Sequence, residues 1–376
     1  MRVTLSPDKF GYYTVGDLKT YSKFEAIELQ NTTGQFPEWN FNRPVFDTID
    51  WRINPQVDLW TLYKQRAQQI RDSYDYVVLW YSGGSDSHNV LCAWREQGCK
   101  IDEIAVTWNY AASQDYQDFQ NAEITNVVLV DMHKLQKTGL DFKFRLVDIS
   151  QLSVDLFDSY GLNWEYNINH HFSVNNPVKH ILRDKINDYR DMITAGKRVC
   201  FVWGIEKPKL FWDGERYYSQ FFDTPDNVVG PYVQRKYHEG WYDEFFYWTP
   251  DNPLIPIKAA HVLKEFVSTV NDPVYYQDSF TDFGFNRQLN KYLTAETVKT
   301  LIYPKWNPNT FCNGKAPSMV YSIRDQWFLD SNLEQKERFR QITQAYFGKI
   351  GTYWANDPRD PSKGIKAHCS PRYYLS

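Results

Sequence analysis

From about residue 57 to residue 203, short runs of β-branched and aromatic residues alternate with stretches whose apolar positions recur every three or four residues. Residues 57–73, VDLWTLYKQRAQQIRDS, space Leu59, Leu62, Ala67 and Ile70 for one apolar helix face. Residues 76–81, YVVLWY, then read as a strand, and residues 88–97, HNVLCAWREQ, as a helix stopped by Gly98. A second strand, IDEIAVTW, covers 101–108, and a helical period runs over 116–137 through Phe119, Ile124, Val127, Val128 and Met132. A third strand, FKFRLVDI, lies at 142–149. After a mostly helical stretch a fourth, RVCFVW, lies at 198–203. Such alternation predicts an α/β fold, a mainly parallel twisted sheet with helices on both faces. Sheets of this kind bind ligands outside the carboxyl ends of their strands, where the strand order reverses.

The flanks are patterned differently. Residues 1–56 are rich in turn formers and aromatics and show no long helical period, which predicts a small β-containing or irregular extension. Residues 210–222, LFWDGERYYSQFF, read as a hairpin turning at Asp213-Gly214. Helical patterns return near 258–270 and 331–347, within a C-terminal region that is otherwise irregular and aromatic. The expected division is an extension over 1–75, a nucleotide domain over 76–265 and a mostly helical or irregular cap over 266–376.

One loop carries the chemistry. Ser82-Gly83-Gly84-Ser85-Asp86-Ser87 lies between the first strand of the α/β unit and its first helix. The two glycines permit a sharp turn and a close approach of backbone amides to an anion. The helix starting near Ser87 aims its free N–H groups and positive dipole end at the same point. The hydroxyls of Ser82, Ser85 and Ser87 add further donors. Asp86 would repel a phosphate, so it acts either as a helix cap or as the ligand of a magnesium ion bridging to the phosphates. The string is neither a Walker loop, which needs Gly-Lys-Ser/Thr, nor the spaced dinucleotide fingerprint.

SGGSDS resembles the PP-loop of the N-type ATP pyrophosphatase family, whose members carry SGGxDS after their first strand, and the likeness runs from about residue 76 to 265. The resemblance implies an adenine nucleotide alpha hydrolase-like (HUP) fold and an adenylating enzyme that uses ATP and Mg2+. In that chemistry a substrate oxygen attacks the α phosphate, pyrophosphate leaves, and a nucleophile then displaces AMP. By position Ser82, Gly83, Gly84, Asp86 and Ser87 match the family's pyrophosphate-binding residues. Thr107-Trp108-Asn109 ends the second strand, where members hold the adenosine; Trp108 either stacks on adenine or belongs to the core. Gly204, at the end of the fourth strand, permits close approach, and Lys207 stands where it would neutralise charge on the transferring phosphoryl group, or is a solvated loop lysine. Lys258, in NPLIPIK at 252–258, resembles a lysine that several members place before a helix near the site; it is a second phosphate candidate or a surface lysine. Glu123 and Asn121 read as solvent-facing helix positions. His170 and His171, adjacent in sequence, point in different directions on any regular element and so do not share a metal with Asp158 or Glu165.

Composition narrows the choice. A net charge of −4 argues against a protein that coats nucleic acid, although a local basic patch would still admit tRNA. No apolar run of membrane-spanning length and no apolar signal core is present, so a cytoplasmic protein is expected. The five cysteines, Cys92, Cys99, Cys200, Cys312 and Cys369, form no Cys-x-x-Cys pair, which argues against a disulfide framework and a four-cysteine zinc site. Cys92 and Cys200 read as small core residues. The leading expectation is an AMP-forming ligase or amidotransferase-like enzyme making a C–N bond on a small-molecule or nucleobase acceptor. Cys369 keeps sulfonucleotide reduction or base thiolation as an alternative. A nucleotide-binding module without turnover is a third, and the aromatic flanks shape either an acceptor pocket or a homo-oligomer interface.

Overall fold

The computed structural model describes residues 7–111, 123–152, 154–155, 182–183, 185–205, 210–213, 215–223, 240–269, 295–307, 327–328, 330, 334, 336–338, 341 and 368–375. At its centre is a five-stranded parallel sheet, made of β4 (Tyr76–Trp80), β5 (Glu103–Trp108), β6 (Lys143–Asp148), β7 (Val199–Trp203) and β10 (Trp241–Phe245). The spatial order is β10-β7-β4-β5-β6. Chain order therefore moves outward from β4 to one edge, returns to β7 on its other side, and moves out again. The reversal falls between β4 and β7.

The period of two along each strand divides the side chains between two cores. Val77, Leu79, Cys200, Val202, Ile104 and Val106 face one core, which also takes the apolar stripes of α3 (Leu59–Ser73), α4 (Ser85–Gln97), α5 (Leu129–Lys137) and α7 (Leu254–Thr269). Val78, Trp80, Phe201 and Trp203 face the other, closed by Phe10 and by Ile186 and Tyr189 at α6 (Asn187–Thr194). The sheet thus carries helices on both faces, as the alternation predicted. No helix among the described residues is long and apolar enough to cross a membrane.

Two smaller sheets flank this unit. β1 (Tyr12–Val15), β2 (Leu18–Thr20) and β3 (Glu38–Asn40) form an antiparallel sheet in the order β2-β1-β3. Within this segment α1 (Lys23–Thr33) corrects the expectation of no long helix before residue 57. Its apolar content is slight, with Ala26 and Ile27 buried, and its bounds are set by the Ser22 cap and by Gly34 at φ 73°. The expected hairpin is present as β8 (Leu210–Trp212) and β9 (Tyr217–Ser219), and the chain's last strand, β11 (Tyr373–Tyr374), returns to pair with β9. Tyr13, Tyr303 and Tyr373 all join the first core, so that core draws on all three expected segments.

β10 was absent from the sequence expectation because Asp243 and Glu244 interrupt its apolar run. Both are buried. Asp243 pairs with Arg183 and accepts from Trp203 Nε1 at 2.8 Å. Glu244 is held by Arg66 at 2.6 Å, by Lys9 at 2.7 Å and by the Tyr74 hydroxyl. A second buried pair, Lys23 with Asp223 at 2.8 Å, joins α1 to the 221–223 segment; Tyr13 OH and the His368 amide also donate to Asp223, each at 2.7 Å.

Burial alone would push the Glu244 carboxyl up, but the Lys9 and Arg66 charges outweigh it and hold the group at about 2. A depressed carboxyl stabilises the fold fully above its ordinary value of 4.5, and that stability is lost as pH falls toward about 2. Glu244→Gln should therefore cost about 3–5 kcal/mol at neutral pH, because Arg66 and Lys9 lose their counter-charge. Urea titrations between pH 7 and the acid limit should show a shallower pH slope for the variant than for the wild type; parallel slopes would contradict the assignment.

Candidate functional site

The 82–87 loop leaves the carboxyl end of β4 at the reversal point, and Gly204 leaves the carboxyl end of β7 beside it. Gly83 has φ 78°, the left-handed region. A Cβ there would stand 2.7 Å from Val128 Cγ2 and 2.9 Å from the Glu123 carbonyl oxygen, so both conformation and space demand glycine. α4 starts at Ser85, two residues earlier than the sequence suggested, so Ser85, Asp86 and Ser87 form its first turn. Its N-cap is Gly84, which has no side chain to satisfy the first-turn amides. Those donors and the positive end of the helix dipole are the ingredients of an anion site.

Serine hydroxyls fix the loop's shape. Ser87 Oγ accepts from the Ser82 amide at 3.2 Å and donates to the Gly84 carbonyl at 3.1 Å. Ser82 Oγ accepts from the Gly84 amide at 3.2 Å and lies 3.2 Å from Ser87 Oγ. Gly204 presses on the same turn: a Cβ on it would sit 3.1 Å from the Ser87 nitrogen and 3.2 Å from the Asp86 carbonyl carbon.

Asp86 is held from the far side by tyrosines. Tyr303, just after α8 (Ala295–Ile302), donates to Asp86 Oδ1, and Tyr247 donates to the Asp86 carbonyl at 2.8 Å while accepting from Asn89 at 3.0 Å. Burial raises both phenols well above their usual range, and the Asp86 charge adds to it, so both remain neutral donors. A separate cluster lies one residue beyond the loop. Tyr81 OH donates to Asp131 at 2.7 Å and lies 2.9 Å from His88 Nδ1, which is 3.1 Å from Asp131. Burial would lower the imidazole, but hydrogen bonding to Asp131 and Cys92 outweighs it and raises His88 to about 9. A cationic imidazole therefore stands on the first turn and a half of α4 at neutral pH. None of these partners carries a motif, and sequence reasoning missed them; the signal available was that His88 directly follows SGGSDS.

The other expected residues divide. Trp108 packs edge-to-face on Tyr110 at 4.9 Å, and its buried Nε1 has no hydrogen-bond partner among the described residues. It also packs against the first core, so the core reading has structural support. Trp80 and Trp203, the last residues of β4 and β7, stack at 5.7 Å beside the loop. Asn109 is buried at the end of β5, where its Oδ1 accepts from Ser150 at 3.1 Å. Lys258 donates to Asn54 Oδ1 and the Pro55 carbonyl, both at 2.9 Å, and is thus tied to the 54–55 segment rather than joined to the loop. Glu123 faces the loop: a Cβ on Gly84 would lie 4.0 Å from its carboxylate oxygens. That corrects the solvent-facing expectation and follows from the π-helical turn Glu123–Val128, which packs on Gly83. Cys92 is half-buried, not a closed core position, and Cys369 forms an isolated β-bridge with Phe222. Lys207, Asn121, Asp158, Glu165, His170, His171 and Cys312 lie outside the described residues. No group of three or more His, Cys, Asp or Glu residues suited to a metal occurs among the described residues.

Gly83→Ala should lose about 1–3 kcal/mol through left-handed strain plus the collision with Glu123 and Val128. Gly34→Ala is the control, because Gly34 has a similar φ of 73° and nothing within 4 Å of its would-be Cβ. Urea denaturation should show a smaller loss for the control; equal losses would mean that loop crowding contributes nothing.

No protein-family model matches the chain, and no curated protein matches it.

Proposed function

We propose that this chain binds ATP through residues 82–87 and cleaves it between the α and β phosphates, giving AMP and pyrophosphate, to activate an acceptor for C–N bond formation. The observation that carries the reading is the loop itself: a left-handed Gly83, a glycine N-cap and a helix first turn, all at the carboxyl edge of a parallel sheet where strand order reverses. The order β6-β5-β4-β7-β10 is that of a doubly wound nucleotide-binding sheet, which supports the adenine nucleotide alpha hydrolase-like assignment.

The Asp86 carboxylate is a hard oxygen donor of the kind Mg2+ takes, and the Tyr303 hydroxyl orients it. Mg2+ keeps several waters and binds through one or two carboxylates plus substrate phosphates, a demand that Asp86, with the Glu123 carboxylate also facing the loop, would meet. When bound, the ion would neutralise charge on the departing pyrophosphate. The loop amides would hold the phosphates. Lys207 remains the proposed partner of the transferring phosphoryl group. Trp108, half-buried at the end of β5, is the aromatic surface proposed for a base.

A nucleotide-binding module without turnover is the second reading. The commitment of Lys258 to Asn54 and Pro55 favours it, since one of two expected catalytic cations is engaged elsewhere.

Incubation of the pure chain with ATP, Mg2+ and fractionated small molecules and RNA should release AMP and pyrophosphate, with one fraction accelerating release. Asp86→Asn, which keeps a hydrogen-bond acceptor for Tyr303, should slow release about a hundredfold or more. ADP and phosphate as products, or full turnover by Asp86→Asn, would contradict the assignment. ATP binding without cleavage in any fraction would favour the second reading.

A further inference from the structure

The helix that begins in the loop ends beside a cavity of about 630 Å3, inside the range of roughly 300–1,000 Å3 that small-molecule sites occupy. Leu91 on α4, Ile101 and Ile104 at the start of β5, Leu135 on α5 and Phe142 before β6 give it an apolar lining. Leu140, which is exposed, and the half-buried Cys92 and Cys99 also line it. No residue of the 82–87 loop and no part of the Gly204 turn lines it. It lies at the amino end of β5, whereas the loop lies at the carboxyl end of the sheet.

Its charges are unevenly matched. Lys305 is paired with Glu96 at 2.7 Å and Lys100 with Asp141 at 3.1 Å, so two of its three cations are neutralised by other lining residues. The third, Arg95, is exposed, and its guanidinium has no ion pair or hydrogen bond among the described residues. An apolar pocket beside one uncompensated guanidinium complements an apolar body with a single negative head. The guanidinium fork matches a carboxylate through two parallel hydrogen bonds, whereas a phosphate would call for more positive charge than Arg95 supplies.

We propose that this cavity binds a small amphipathic monocarboxylate, its apolar body against Ile101, Leu140 and Phe142 over the buried Leu91, Ile104 and Leu135, and its carboxylate on Arg95. The site is separate from the loop and does not rest on the nucleotide reading.

Calorimetric titration of the full chain with octanoate should show saturable one-site binding, and octan-1-ol should bind at least about tenfold more weakly. Arg95→Gln should weaken octanoate about tenfold, and Thr138→Trp, which fills the rim, should abolish binding. Arg95 and Thr138 are both exposed, so neither change threatens the fold. Octanoate should also slow alkylation of Cys92 and Cys99 by N-ethylmaleimide, read by peptide mass. Absence of saturable binding, equal binding of octanol, indifference to both substitutions, or unchanged alkylation of both thiols would each overturn the proposal.

Discussion

Two stretches of backbone meet at Gly204 and the Asp86–Ser87 peptide, and the arrangement of the site depends on their being able to touch. β4 and β7 are neighbours whose onward connections run in opposite directions, so a crevice opens above them. The first turn of α4 fills one side of it, and the turn after β7 fills the other. A Cβ at 204 would come within 3.1 Å of that first turn. Gly83 is constrained from below by Glu123 and Val128, so the loop is confined between two elements that are themselves packed on the sheet. A donor array built this way needs little rearrangement to receive an anion, which is the condition for electrostatic preorganisation.

The charged groups around this frame share one logic. Glu244, Asp243 and Asp223 are buried, and each has a cation and further donors placed on it. Such clusters contribute less net stability than apolar packing would, and losing one partner is costly. Their positions tie β10 to α3, β10 to the 182–183 segment, and α1 to the 221–223 strip. The Asp86 carboxylate accepts a hydrogen bond from the neutral phenol of Tyr303.

Much of the frame was legible in the sequence. The inner strands of a parallel sheet are buried on both faces, and therefore appear as short continuous apolar runs between helices. The strands expected at 76–81, 101–108, 142–149 and 198–203 are found at Tyr76–Trp80, Glu103–Trp108, Lys143–Asp148 and Val199–Trp203. The loop was legible because glycine and serine at a strand-to-helix junction have a local physical meaning. β10 was not, since its acidic pair is compensated by Arg66 and Arg183, far away in sequence. α1 was not, since caps rather than apolar spacing define it. The tyrosine contacts to Asp86 span 161 and 217 positions, and no local pattern encodes pairings of that range. The engagement of Lys258 by Asn54 and Pro55 is equally non-local.

The central claim is that the 82–87 loop is a phosphate cradle. A crystal structure of the chain grown with Mg2+ and α,β-methylene ATP tests it most directly. The account predicts phosphate oxygens within hydrogen-bond distance of the amides of residues 83–87, with the metal on Asp86. Phosphates bound elsewhere on the molecule would contradict it.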